Sequence, residues 1–176
     1  RDPGFCGGQY GAAGTSPTIG LSIARMMAHI TYLSEEGMTG KFGREPQTGV
    51  LNHGFGPDFA VESYLQHQGD AFLERFDALS YLYLTRVMDY FDPFDRPDAT
   101  AAAAAAGIRF LLVSFTSDWR FSTAHSRRIV RHLEQARIPV TFREIDSANG
   151  HDSFLLPIEA YHQTVRAYLD HAWEQL

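Results

Sequence analysis

The alternation of strands and helices over the second half of the chain constrains the fold most. Apolar and amphipathic patterns predict a strand at 108–115, a helix at 122–136, a strand at 140–145 and a helix at about 154–173. Strands separated by helices are typical of parallel βαβ units, whose sheet is covered by helices on both faces. This half of the chain is therefore predicted to belong to the α/β class.

Each predicted strand is followed by a polar loop that carries a candidate catalytic residue. Asp118 follows the first strand, and His151 follows the second. An Asp and then a His is the order of the last two members of the α/β-hydrolase triad, Ser, Asp and His. The carboxylate would hold the imidazole in one tautomer, so that it can take a proton from a hydroxyl. Either residue alone is better explained as a turn residue, and it is the two together that favour a triad.

The nucleophile of such a triad is not evident. No Gly-x-Ser-x-Gly sequence occurs, and Ser16 lacks the strand–turn–helix setting of a nucleophilic serine. The chain also begins with Arg1 instead of Met. We therefore expect the C-terminal half of an α/β-hydrolase fold, with the nucleophile in an N-terminal half that is absent, and no activity from these residues alone.

The first half of the chain is predicted to be helical. Residues 1–16 are rich in glycine and predict a loop, followed by helices at 17–34, 35–42, 59–76 and 78–91, with Asp58 and Asp77 as caps of the last two. The helix at 17–34 is apolar on two sides, which predicts burial on both, and Arg25 falls on one of them. We interpret residues 1–92 as a helical cap, for a lid or for dimerisation, and residues 93–176 as part of the hydrolase core.

Composition excludes several functions. The formal net charge of -6 disfavours binding to nucleic acid or to an anionic membrane. No apolar run is long enough for a transmembrane helix, which needs about 18 residues. The single cysteine, Cys6, allows no intrachain disulfide and fits a cytoplasmic location. We expect no metal and no bound cofactor, because metal-ligand spacing is lacking among the histidines at 53, 67, 125, 132 and 162.

Several segments together resemble the homoserine O-acyltransferases, α/β-hydrolase-fold enzymes of methionine biosynthesis. They are residues 24–34 (ARMMAHITYLS), 41–44 (KFGR), 61–65 (VESYL), 75–77 (RFD) and 150–155 (GHDSFL). The resemblance implies a longer complete protein that moves an acyl group from succinyl-CoA or acetyl-CoA to the γ-hydroxyl of L-homoserine through a seryl acyl-enzyme. From the consecutive helices of the first half, we also expect a homodimer formed through the helical cap.

The resemblance gives roles to individual residues. Asp118 and His151 would be the triad partners, and Arg25 and Asp152 would bind the amino acid. A guanidinium suits the α-carboxylate of homoserine because it can bind through two parallel hydrogen bonds. Two alternatives stay open: a structural ion pair for Arg25, and capping of the last helix by Asp152.

Arg120 bears on the acyl donor. In the acetyl-transferring enzymes an apolar residue is expected two positions after the triad Asp, and an Arg there looks like the succinyl-transferring branch. The alternative is a surface arginine paired with Asp118 or Glu144. A solvated helix face explains Arg127, Arg128 and Arg131 better than contact with coenzyme A phosphates.

Two other functions remain open from the sequence. One is an esterase or thioesterase on the same fold, which would not need Arg25 and Asp152. The other is an inactive helical interaction module.

Overall fold

The structure, a computed structural model, describes residues 2–175. Its helices and strands run in the order 3₁₀ helix Pro3–Gly8, α1 Tyr10–Ala13, α2 Thr18–Tyr32, α3 Glu35–Phe42, α4 Ala60–Leu73, α5 Ala78–Tyr90, 3₁₀ helix Pro93–Asp95, α6 Pro97–Ala105, β1 Phe110–Phe115, α7 Thr123–Gln135, β2 Val140–Ile145, 3₁₀ helix Gly150–Leu155 and α8 Glu159–Trp173. The described chain divides into two compact units.

The first unit contains the residues up to Ile30 together with Met38–Phe91. Its buried core is formed by Leu21, Phe72 and Ala78 from three different helices. Asp77 caps α5, because its carboxylate accepts a hydrogen bond of 2.8 Å from the backbone N–H of Ser80. The predicted cap at Asp77 is confirmed.

Two local predictions in this unit are wrong. Residues 1–16 are not a plain loop, since they form a 3₁₀ helix and α1, and Asp2 caps the 3₁₀ helix through the backbone N–H of Gly4. Asp58 does not cap α4. Its carboxylate accepts instead from the backbone N–H groups of Asn52 and His53, each at 3.0 Å, and so closes the preceding loop.

The burial of α2 also differs from the prediction. Leu21 and Ser22 are buried, whereas the apolar row of Ile19, Ile23 and Met27 is 62%, 49% and 62% exposed. Within the described residues, α2 is therefore buried on one side only. The apolar periodicity was sufficient to predict the helix, but it did not identify which apolar side is covered.

The second unit contains Thr31–Gly37 and the described residues from Asp92 onward. Here β1 and β2 pair in parallel, from Phe110 opposite Val140 to Phe115 opposite Ile145, and α7 connects them. The predicted βαβ unit is confirmed. Phe115 and Ile145, at the carboxyl ends of the strands, are only 5% and 6% exposed. The loops that follow them therefore start from a tightly packed edge.

Prolines mark the starts of two helices in this unit, and the second start differs from the prediction. The alanine-rich helix α6 begins at Pro97, which suits the first helical turn because its fixed φ is compatible with a helix. The last helix begins at Glu159 and not near residue 154, since Leu156 is extended before Pro157 and thereby separates a 3₁₀ helix from α8. Among residues 2–175, no helix has both the length and the apolar character needed to cross a membrane.

Candidate active site

Asp118 and His151 meet beyond the carboxyl ends of β1 and β2. The Nδ1–H group of His151 donates to Oδ2 of Asp118 at 2.9 Å. The other carboxylate oxygen, Oδ1, accepts from the backbone N–H groups of Arg120 at 3.0 Å and Phe121 at 2.8 Å. Asp118 is buried, and its carboxylate has three hydrogen-bond donors. Because Nδ1 of His151 is hydrogen-bonded to this carboxylate, Nε2 is the nitrogen left for proton transfer.

Hydrogen bonds of ordinary length join the loop after β1 to the loop after β2. Oγ1 of Thr116 donates to the carboxylate of Asp146 at 2.8 Å and accepts from the backbone N–H of Ser147 at 3.1 Å. The backbone N–H of Gly150 donates to Oγ of Ser117 at 2.9 Å. Because the strands are parallel, both loops leave the same edge of the sheet, and these bonds fix the separation at which Asp118 and His151 pair.

Aromatic rings surround the imidazole of His151. Its ring centroid lies 5.0 Å from that of Phe121, 5.4 Å from that of Phe154 and 5.8 Å from that of Tyr32. A cavity of about 280 Å³ lies beside the pair, with Asp118 and His151 in its lining. Sequence reasoning did not place these three rings at the site. The positions of Phe121 and Phe154 close to Asp118 and His151 in the chain were an available signal, but Tyr32 had none.

Arg120 follows Asp118 and has an exposed side chain. Its Nη1 donates to Oγ1 of Thr31 at 2.7 Å, and its guanidinium carbon lies 5.0 Å from the ring centroid of Tyr32. The alternative of a side-chain pair with Asp118 or Glu144 is wrong. Arg120 reaches Asp118 through its backbone N–H, and Glu144 pairs with Arg127 at 2.9 Å.

The two residues predicted to bind the amino acid lie in different units. Asp152 is half-buried beside His151 in the 3₁₀ helix Gly150–Leu155, and α8 begins too far along the chain for Asp152 to cap it. Arg25 is half-buried on α2 in the first unit, where its guanidinium carbon lies 5.0 Å from the ring centroid of Phe72. Among residues 2–175 no acidic side chain forms an ion pair with Arg25. The same residues contain no group of three or more His, Cys, Asp or Glu side chains placed to hold a metal ion.

The chain matches curated proteins over nearly its whole length. It is 51% identical over 171 residues to a homoserine O-succinyltransferase of Nitrosomonas eutropha, covering 96% of this chain and 45% of that protein. It is also 51% identical over 174 residues to a homoserine O-acetyltransferase of Rhodospirillum rubrum, covering 97% of this chain and 44% of that protein. The chain is therefore similar in sequence to homoserine O-acyltransferases. The predicted resemblance is confirmed, and the chain spans less than half the length of these relatives.

Solved structures give the fold. The chain aligns with a homoserine O-acetyltransferase from Bacillus anthracis at a TM-score of 0.64 and 18% identity, over 86% of this chain and 40% of that one. It aligns with esterase E22 at a TM-score of 0.74 and 18% identity, over 96% of this chain and 46% of that one. The predicted α/β-hydrolase fold class is confirmed. No family model matches the chain.

Proposed function

We propose that the protein carrying this chain is a homoserine O-acyltransferase, and that these residues supply the acid and the base of its catalytic triad. The observation that carries the proposal is the 2.9 Å hydrogen bond between His151 Nδ1 and the buried carboxylate of Asp118. The bond is the orienting half of a nucleophile–base–acid triad. The match at about half identity to succinyl- and acetyl-transferring enzymes supports acyl transfer to homoserine.

In the first half-reaction, a serine supplied by a part of the protein outside these residues attacks the carbonyl carbon of an acyl-CoA thioester. Nε2 of His151 takes the serine proton, and the C–S bond breaks. The coenzyme A thiolate leaves with that proton, and the acyl group remains on the serine as an ester. Asp118 holds His151 in the required tautomer and stabilises the imidazolium that forms. We expect no acyl transfer from the isolated 176 residues, because they lack this nucleophile.

In the second half-reaction, the γ-hydroxyl of homoserine attacks the seryl ester. His151 takes the hydroxyl proton and returns it to the serine oxygen as the C–O bond to the enzyme breaks. Water would compete at this step and yield the free acid. The rings of Tyr32, Phe121 and Phe154 around His151 support exclusion of water from the base.

We assign the α-carboxylate of homoserine to Arg25 and its α-ammonium to Asp152. Arg25 has no acidic partner among the described residues, so its charge is available for a carboxylate. Asp152 directly follows the catalytic His151, and its half-buried carboxylate suits a cation held near the base.

The donor that we favour is succinyl-CoA, with acetyl-CoA as the alternative. Arg120 supports this choice. Its Nη1 donates to the neutral hydroxyl of Thr31, and no acidic side chain among residues 2–175 neutralises the positive charge of its guanidinium. The distal carboxylate of a succinyl group would provide that neutralisation, whereas an acetyl group would not.

Two further parts of the proposal concern assembly and location. The exposed apolar row of Ile19, Ile23 and Met27 supports a homodimer formed through the helical region, because a contiguous apolar surface favours contact with another protein surface. The single cysteine supports a reducing, cytoplasmic setting.

The test is to supply the complete protein with succinyl-CoA or acetyl-CoA, with and without L-homoserine. Free coenzyme A and O-acylhomoserine are then quantified by mass spectrometry. We expect coenzyme A release matched by O-acylhomoserine, with succinyl-CoA preferred. Release of free acid at the same rate with and without homoserine would instead identify an esterase or thioesterase. No release at all would indicate an inactive interaction module.

A further inference from the structure

The segment Thr31–Gly37, here called the strap, belongs to the second unit, although the residues on either side of it in the chain belong to the first. It includes the end of α2 and the first part of α3. Within the second unit the strap contacts both loops that carry the Asp118–His151 pair.

The strap holds the loop that carries Asp118 through two side chains of that loop. Nε1–H of Trp119 donates to the carbonyl oxygen of Leu33 at 3.0 Å. That carbonyl directly follows α2, where the last carbonyls of a helix lack intrahelical donors. Arg120 adds the hydrogen bond to Thr31 described above. Trp119 and Arg120 are the two residues immediately after Asp118, so these bonds act directly on the backbone that carries the carboxylate.

The strap also contacts the loop that carries His151. Oγ–H of Ser34 donates to the carbonyl oxygen of Ala148 and accepts from the backbone N–H of Gly37 at 2.9 Å. Ser34 is only 7% exposed. Gly150 lies against the strap backbone, because a Cβ atom added to it would lie 2.5 Å from the nitrogen of Ser34 and 2.7 Å from the carbonyl carbon of Leu33. The residue before His151 is therefore in backbone-to-backbone contact with the strap.

We propose that the strap is a positioning element for the catalytic pair, with Ser34 of the strap and Trp119 of the Asp118 loop as positioning residues; this inference rests on the proposed catalytic role of the pair. The bonds at Thr116 and Ser117 join the two loops to each other, at Asp146, Ser147 and Gly150. The strap adds a third segment that holds both loops, at Trp119 and Arg120 after Asp118 and at Ala148 and Gly150 before His151. A catalytic hydrogen bond is sensitive to small displacements, since misplacement by about 1 Å can cost about a hundredfold in rate.

The experiment compares Trp119→Phe and Ser34→Ala with a control, Trp173→Phe, in the complete protein. Trp119→Phe keeps an aromatic ring and removes the N–H that reaches Leu33. Trp173 is 78% exposed on α8. Among the described residues no hydrogen bond or ring contact joins Trp173 to the strap, so its replacement controls for loss of an indole. The direct readout is the downfield proton NMR signal of His151 Nδ1–H, which reports its hydrogen bond to Asp118. It is accompanied by kcat, by KM for homoserine and by the thermal midpoint Tm.

We expect Trp119→Phe and Ser34→Ala each to shift the Nδ1–H signal and to speed the exchange of that proton with water. Each variant should also lower kcat, and the rate constants of both half-reactions, by about tenfold. KM for homoserine and the Tm of Trp119→Phe should match those of the Trp173→Phe control. If Ser34→Ala folds poorly because Ser34 is buried, Trp119→Phe decides the question, since Trp119 is 58% exposed.

An unchanged Nδ1–H signal in Trp119→Phe overturns the proposal whatever happens to kcat, and so does an equal change in Trp173→Phe. The NMR readout does not depend on the acyl acceptor. Failure of the proposed function would appear separately, as an unmodified protein that does not acylate homoserine although its Nδ1–H signal still responds to Trp119→Phe.

Discussion

Replacing Gly150 by alanine adds a methyl group where the loop carrying His151 touches the strap. Gly150 has a φ of 71°, in the left-handed region that glycine tolerates best, and an L residue there costs about 1–2 kcal/mol. The added Cβ would also lie 2.5 Å from the backbone nitrogen of Ser34 and 2.7 Å from the carbonyl oxygen of Tyr32. Both are backbone atoms that cannot rotate away, so overpacking should cost about 1–3 kcal/mol more.

Gly107→Ala is a matched control in the same unit. Gly107 has a φ of 66°, and an added Cβ would meet no atom of the described residues within 4 Å. It therefore carries the backbone cost without the overlap. Urea unfolding of the complete protein, followed by circular dichroism, gives the free energy of unfolding of each variant.

We expect Gly107→Ala to lose about 1–2 kcal/mol and Gly150→Ala about 2–5 kcal/mol. Gly150→Ala should also lose most of its kcat, because relief of the overlap moves the residue that precedes His151, whereas Gly107→Ala should keep its kcat. If the two variants lose the same free energy of unfolding, the close contact between Gly150 and the strap does not exist as described.

Three further predictions concern other residues. Arg25→Lys keeps the charge over Phe72 but loses the two parallel hydrogen bonds of a guanidinium, so it should slow deacylation by homoserine at least tenfold. Acylation by acyl-CoA should stay unchanged in stopped-flow traces, and equal slowing of both steps would indicate a structural role. Arg120→Leu should lower kcat/KM for succinyl-CoA by about ten- to a hundredfold more than for acetyl-CoA; equal loss with both donors would assign Arg120 to support of the strap. The hydrogen bond from the backbone N–H of Asn52 lowers the pKa of Asp58, so Asp58→Asn should be less stable than the parent at neutral pH. Thermal melts should show this difference in stability vanish as the pH falls through the lowered pKa, and a constant difference down to acidic pH would refute the assignment.

The hydrogen-bonded pair of Asp118 and His151 was predictable from sequence because its geometry follows from topology. Two strands of one parallel sheet end at the same edge, so a residue just after each strand must lie close to the other. The chain order, Asp and then His, matched that of the last two members of an α/β-hydrolase triad. No long-range contact had to be guessed for this prediction, apart from the pairing of the two strands.

The strap and Tyr32 were not predictable in this way. The strap lies 86 residues before Trp119 and 114 residues before Ala148, counted from Leu33 and Ser34, and local periodicity carries no information about which distant backbone a helix end will contact. The role of Gly150 was hidden for the same reason, since a glycine in a loop is explained equally well by an ordinary turn. The start of α8 was misplaced because the apolar spacing of α8 continues back into the 3₁₀ helix, although Pro157 separates the two.

The most direct test of the central claim is the rate of O-acylhomoserine formation by His151→Ala in the complete protein, measured beside His125→Ala. His125 is exposed on α7 and serves as a matched control for the loss of an imidazole. If His151 is the base, its replacement should lower kcat by several orders of magnitude, and His125→Ala should retain the parental kcat. A His151→Ala enzyme whose kcat stays within about tenfold of the parent would contradict the assignment of His151 as the base of an acyltransferase.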